Sequence, residues 1–475
     1  MTKKKLNAID RSFLASERRD VMMHVGMLLE MSRTKRSTDL QAELRNELTR
    51  SFKVESPFNL RLSNPDLLAS PLQSWVPDES FDIEHHVRRS ALPSPGDERE
   101  LGMLVSRLHG TPLDFHRPPW EAHFIEGLEG DRLAIYFKVH HALIDGYTGM
   151  RLLSRSFTTD PEETDTALFF ARPAPTSPVS RERPVHEDEE VPTFAALVRK
   201  AAREQVGIGR EVGRAVMNAV RARRAHDTTL ALPLQAPKSV LNQKISRSRR
   251  FSTQQVPLDR LKKIATASGG TLNDVVLAVC GVALRRFLKE QDALPEKSLV
   301  AMLPVNVRPK DDPGGGNAVG AILATLATDI ANPRKSLETI ITSTKRAKAQ
   351  LSGMSKNAII QYSALALAPM GLAFVPGVAG RVRPAFNVVI SNVPGPENPL
   401  YFRGWRLDEM YPLSIPFQGY ALNITVQSYA GNLHFGFTGC RDTLPHLQRL
   451  AVYSGDAVAM LEDVPIARTS TRKLG

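Results

Sequence analysis

Apolar positions along the chain switch between two periods, and the switches divide it into two halves of similar character. In the first half, residues 133–139 (Leu-Ala-Ile-Tyr-Phe-Lys-Val) follow an Asp131-Arg132 turn and predict a strand, with a helix predicted over 149–157. In the second half, residues 272–288 carry the 3.6-residue period of an amphipathic helix. Asn273 and Asp274 sit in its first turn and Arg285-Arg286 near its end, as the helix macrodipole favours. Strands are predicted over 299–307, 386–390, 421–427 and 433–437. No repeat recurs at 20–50-residue periods. The pattern is that of an α/β chain in two halves.

Between the halves the pattern lapses. Residues 172–192 contain Pro173, Pro175, Pro178, Pro184 and Pro192 and the acidic run Glu187-Asp188-Glu189-Glu190, which is linker chemistry with little to bury. A helix is predicted immediately afterwards, over 194–224, with one apolar and one basic face.

Composition narrows the function classes. The 475 residues are 42% hydrophobic and 24% charged, which excludes a mostly disordered chain and, at this length, favours two domains. The formal charge is +12, and between Arg199 and Arg250 thirteen basic residues stand against three acidic ones, so nearly all of the excess lies there. Such a stretch is a solvated helix face or a surface for phosphates, of a nucleotide or of anionic lipid. Nucleic acid is disfavoured, because no aromatic residue is interleaved from Leu197 through Arg250. Two cysteines exclude a disulfide scaffold and a multi-cysteine metal cluster, and fit a reducing cytoplasm. The lysines at the start are not followed by the apolar core of a signal peptide, since Ile9-Asp10-Arg11 interrupts it. The longest apolar stretch, 363–380, contains Pro369 and Pro376, which would break a spanning helix. A buried or surface-inserting element, and a soluble or peripheral protein, are expected.

The segment richest in chemistry is His140-His141-Ala142-Leu143-Ile144-Asp145-Gly146. It puts two histidines at a strand end, then an Asp-Gly turn, then a helix. A strand end can hold an imidazole rigidly beside a cleft, where it can accept a proton from a hydroxyl attacking a carbonyl. A histidine pair alone proves little: His85-His86 is another, with no Asp-Gly at matching distance. Gly146 fits a turn that needs φ freedom. Asn273 and Asp274 fit helix capping as well as a site, Ser391 and Asn392 precede the turn Pro394-Gly395-Pro396, and Trp120 with Pro118 fits packing or a channel wall. No Gly-x-Ser-x-Gly elbow is present, and Cys280 sits mid-helix among apolar neighbours, so no activated serine or cysteine nucleophile is expected.

His-His-x-x-x-Asp-Gly resembles the active-site signature of the coenzyme A-dependent acyltransferase superfamily, which includes chloramphenicol acetyltransferases and peptide-synthetase condensation domains. Further segments narrow the resemblance. They are Leu113-Asp114 with Pro118-Pro119-Trp120, Ile125-Glu126-Gly127, Asn273-Asp274, Pro304-Val305-Asn306-Val307-Arg308, Ser391-Asn392-Val393-Pro394-Gly395-Pro396, and Phe435-Gly436-Phe437-Thr438-Gly439. Together they are similar to bacterial wax ester synthase/acyl-CoA:diacylglycerol acyltransferases, the marine-bacterial type above all, over nearly the whole chain. Pro119 departs from the family's leucine. The resemblance implies two chloramphenicol-acetyltransferase-like domains of mixed sheet and helices, 1–171 and 241–475, joined by a partly helical connector, 172–240, with the catalytic channel between them. It implies that a long-chain acyl group passes from acyl-CoA, a substrate and not a cofactor, to a long-chain alcohol or a diacylglycerol. His141 would be the general base and His140 would pack beside it. Asp145 would form a structural ion pair, with Arg308 as partner, and Asn273 would stand opposite His141. Asp274, Ser391, Asn392 and Trp120 are the candidate substrate contacts, and Phe374 a candidate channel residue. No metal or cofactor is expected; peripheral association with an anionic membrane or lipid droplet is. Two other readings fit the same residues: acyl transfer from a carrier protein, or a lipid-surface binding protein without activity.

Overall fold

The computed structural model describes residues 4–48, 54–171, 217, 235–306, 319–368, 370 and 380–463. Most of the expected connector with its helix, and Arg308 and Phe374, lie outside the described residues.

Two six-stranded mixed sheets form the frame, each with helices packed against it. Arg132–His140 lies inside the first sheet, paired antiparallel to His24–Ser32 on one side and to Trp120–Leu128 on the other. It is buried along almost its whole length, as its apolar composition requires. The expected strand 133–139 thus extends by one residue at each end. Val87–Ala91 closes one edge, parallel to Trp120–Leu128. The other edge comes from the far half of the chain: Trp405–Leu413 pairs with His24–Ser32, and Tyr401–Phe402 lies outside it. The C-terminal half therefore lends two strands to the N-terminal sheet.

The second sheet runs in the order Val319–Thr325, Val300–Asn306, Val388–Val393, Leu422–Tyr429, Asn432–Cys440, Arg249–Pro257. Val388–Val393 is parallel to both of its neighbours and the remaining pairs are antiparallel. Leu272–Lys289 packs in the largest core cluster, from Val275 through Leu288. This helix begins where the sequence predicts and runs one residue further. The helix after the histidines spans Gly146–Ser154, starting three residues before the expected position because Asp145 caps it: its Oδ1 accepts from the Thr148 N–H at 2.7 Å.

Among the described residues no single helix is long and apolar enough to cross a membrane. The stretch expected to be a buried or surface-inserting element begins within the helix Lys356–Leu367, where Ser363 is buried and Leu365 is 54% exposed.

Candidate active site

Strand pairing delivers the histidines to the seam between the two sheets. His24 is in register with His140, and the His141 N–H donates to the Met23 carbonyl at 2.9 Å, so the backbone is fixed on both sides of the pair. The Pro119 carbonyl accepts from the His140 N–H at 2.9 Å, so the departure from leucine leaves this strand's hydrogen bond intact.

The two imidazoles have different surroundings. His140 is 1% exposed; its Nδ1 accepts from the Ala142 N–H at 3.2 Å, its Nε2 lies 3.4 Å from the Glu17 carboxylate, and Phe115 meets its ring edge-on. His141 stacks on Phe13, ring centroids 4.2 Å apart, and lines a pocket of about 130 Å³. Its Nδ1 is sealed from solvent without a hydrogen-bond partner. Burial lowers the His141 pKa to about 4, against the opposing pull of the Asp145 carboxylate and of its own main-chain carbonyl. The ring is therefore neutral at pH 7 and able to accept a proton.

The pocket's far wall comes from the second sheet. Register pairs Ser391 with Thr425 and Val393 with Gln427, and all four residues line the pocket. Strand alternation sends Asn392 to the opposite face, where its Nδ2 donates to Asn273 Oδ1 at 2.5 Å. Neither Asn273 nor Asn392 lines the pocket with His141, so the structure joins these two residues to each other and not to the base.

Two further candidates lie outside the lining of the His141 pocket. Asp274 is 1% exposed and both its carboxylate oxygens accept hydrogen bonds. One oxygen accepts from the Thr271 N–H and hydroxyl, both at 2.7 Å, and the other from the Thr344 hydroxyl at 2.5 Å. With the Thr271 hydroxyl accepting from the Asp274 N–H, this is a complete capping box, so Asp274 holds the start of the helix. Trp120 is fully buried, its Nε1 donates to the Phe58 carbonyl at 2.7 Å, and its ring stacks on His86. It is a core residue, not a channel wall. His86 is likewise a core histidine, its Nδ1 on the Trp120 carbonyl at 2.8 Å and its pKa lowered by burial to about 4.

Asp145 and Gly146 do line the pocket. Gly146 has no positive φ, so turn freedom is not what it supplies. It opens the helix, and an added Cβ there would meet nothing within 4 Å. Asp145 makes no triad-type bond to His141 Nδ1, which is unpartnered.

One pocket residue escapes sequence reasoning. Gln427 is fully buried, and neither its amide oxygen nor its nitrogen has a hydrogen-bond partner among the described residues. The side chain lies so close to Gly395 that a Cβ there would approach Nε2 to 2.3 Å. The signal was available: Asn423, Thr425 and Gln427 place a polar residue at every second position, alternating with Leu422, Ile424 and Val426.

Two mixed sheets with a histidine-bearing strand end at their seam define the class, a two-domain acyltransferase of the chloramphenicol-acetyltransferase type. Residues 6–276 match the wax ester synthase/diacylglycerol acyltransferase catalytic domain and residues 315–462 the WS/DGAT C-terminal domain. A protein of Mycobacterium tuberculosis named a diacylglycerol O-acyltransferase is 50% identical, with 97% of each chain covered. The solved wax ester synthase/diacylglycerol acyltransferase of Marinobacter aquaeolei is 38% identical over 97% of this chain and 98% of that one, with a TM-score of 0.75. A condensation domain of the calcium-dependent antibiotic synthetase shares the fold at 17% identity and a TM-score of 0.60 over 98% of both chains. The chain belongs to the wax ester synthase/diacylglycerol acyltransferase family, and it is an acyltransferase.

Proposed function

We propose that the protein transfers a long-chain acyl group from acyl-CoA to the hydroxyl of a fatty alcohol or a diacylglycerol, with His141 as general base. The observation that carries the reading is the His141 imidazole lining an apolar pocket between the sheets, where burial favours its neutral form. With Nδ1 sealed, Nε2 is the nitrogen that faces the pocket and takes the hydroxyl proton as the alcohol oxygen attacks the thioester carbonyl. The oxygen ester forms, the C–S bond breaks, and the proton passes to the departing CoA thiolate. The unpaired Gln427 amide supplies a hydrogen bond to the carbonyl oxygen as charge develops there. Val25, Met27, Val139, Met150 and Leu153 line the same pocket and exclude the water that competes for the thioester. His140, buried beside Glu17, positions the strand end.

Transfer is direct. Burial raises the Cys280 thiol pKa to about 12, and neither Cys280 nor Cys440 lines the pocket. Net charge of +12 and the exposed Leu365 support peripheral docking on an anionic membrane or lipid droplet. The test supplies purified protein with palmitoyl-CoA and either hexadecanol or diacylglycerol, following thiol release and lipid product together. Ester formation with either acceptor is expected; activity only with a carrier-protein thioester would reject the reading.

A further inference from the structure

A second pocket, of about 620 Å³, opens between the helix Glu98–His109 and the start of the strand Arg249–Pro257. Arg107, Arg247, Arg249, Arg250 and Arg441 line it, with Glu100 as the one acidic residue in the lining. Their charges are poorly compensated. Among the described residues, Arg107 and Arg247 pair with no carboxylate. Arg250 donates to the neutral side-chain oxygen of Gln448, at 3.1 and 3.2 Å. Arg441 lies 3.6 Å from Asp442, whose other oxygen is held by the Ser246 hydroxyl at 2.6 Å. Partial burial and the neighbouring Arg441 charge both hold the Arg250 pKa below its usual value. Arg249 alternates inward and is spent on the Asp20 and Ser246 carbonyls. Four guanidinium groups converging on a concavity with one carboxylate are an arrangement that an anion with several phosphate oxygens relieves.

The two pockets share one seam. Ser106 lines the arginine pocket and its hydroxyl accepts from the Phe251 N–H at 3.0 Å, joining the two halves of the chain. His109, three residues on in the same helix, donates to the Ser414 carbonyl at 3.1 Å, and Ser414 lines the His141 pocket. The two linings are thus linked by one turn of that helix and a single hydrogen bond. A donor extended along this seam places its phosphates in one pocket and its thioester in the other.

We propose that the pocket of Arg107, Arg247, Arg250 and Arg441 binds the 3′-phosphate and diphosphate of the acyl-CoA donor. This rests on the donor assigned above, and it names the part of the basic stretch that meets the donor: Arg247 and Arg250, joined by Arg107 and Arg441 from distant segments. A membrane would prefer a flat or convex basic face, whereas this one is concave and sits at the seam.

The test uses Arg247→Gln, Arg441→Gln and the double variant, all at exposed positions, with far-UV circular dichroism confirming the fold. Binding of adenosine 3′,5′-bisphosphate is measured by calorimetry, and kinetics are measured with palmitoyl-CoA and with palmitoyl-pantetheine, which lacks the nucleotide. Each substitution is expected to weaken bisphosphate binding and raise the KM for palmitoyl-CoA about tenfold, with kcat and the palmitoyl-pantetheine kinetics unchanged. Unchanged bisphosphate binding in the double variant would overturn the proposal. So would loss of binding to phosphatidylglycerol vesicles with bisphosphate binding intact, which would assign the arginines to lipid. Because calorimetry needs no turnover, a wild type that binds the bisphosphate but esterifies nothing would fail the acyl-transfer reading while leaving this pocket standing.

Discussion

Replacing Asp274 with alanine separates a helix cap from a substrate contact. The substitution removes a carboxylate that accepts three hydrogen bonds, two from Thr271 and one from Thr344. Thr271 is exposed, so its freed groups turn to water, and the loss there is that of a cap, about 1 kcal/mol. Thr344 is 2% exposed, but its single hydroxyl hydrogen can turn to the Ile341 carbonyl 3.1 Å away, so the cost is the exchange of a charge-assisted bond for a neutral one, about 2 kcal/mol. Relief from burying a carboxylate offsets part of this, leaving a loss of about 2–3 kcal/mol. Urea unfolding followed by circular dichroism should show the midpoint falling with the slope unchanged. Thr271→Ala should give a smaller loss, non-additive with Asp274→Ala because both break the same box. Turnover of the folded variant should stay within about threefold of wild type, since the cap only supports the helix that carries Asn273. An Asp274→Ala protein as stable as wild type but without turnover would refute the capping argument and restore a substrate role.

Other outcomes follow from buried groups. His86, His109 and His434 have pKa values lowered by burial to about 4, 3 and 4, so the unfolded state takes up their protons first on acidification. Their contribution is complete above about pH 6.5 and is lost as pH falls toward 4, by up to about 3 kcal/mol each; chemical denaturation across that range should show it. Trp120→Phe leaves the Phe58 carbonyl unpaired and should cost about 2 kcal/mol, with no change in KM for either substrate. Gln427→Leu removes an unpaired buried amide, so melting should show equal or greater stability while kcat falls about 10²-fold. With His141 held at a pKa of about 4, kcat/KM should fall on the acid side near pH 4, and an acid limb centred at 6.5 would contradict the burial argument.

The strands and the long helix were legible because their signals are local. Residues 133–139 and 272–288 carry their own period, and the structure extends them by a residue or two. The lending of Trp405–Leu413 to the first sheet was not legible, because nothing in a strand's composition says which sheet it joins. The seam explains the site in the same way. His141, Asp145 and Gly146 share a turn and remain together in the pocket. Ser391 and Asn392 are neighbours in sequence, yet the pleat sends them to opposite faces of one strand. Trp120 and Asp274 stood beside suggestive residues, and only burial shows that one fills the core and the other caps a helix. Capping was legible for Asp274 from its place in the first turn, but not its bond to Thr344, seventy residues away in sequence.

The most direct test of the central claim is a single-turnover comparison of wild type and His141→Ala, with palmitoyl-CoA and hexadecanol or diacylglycerol, reading ester and free CoA together. The account expects ester formation to fall by at least about 10²-fold, with the fold retained and no acyl-protein on rapid quench in either protein. Ester formation at the wild-type rate in His141→Ala, or an acyl-protein that forms and decays at the rate of turnover, would contradict it.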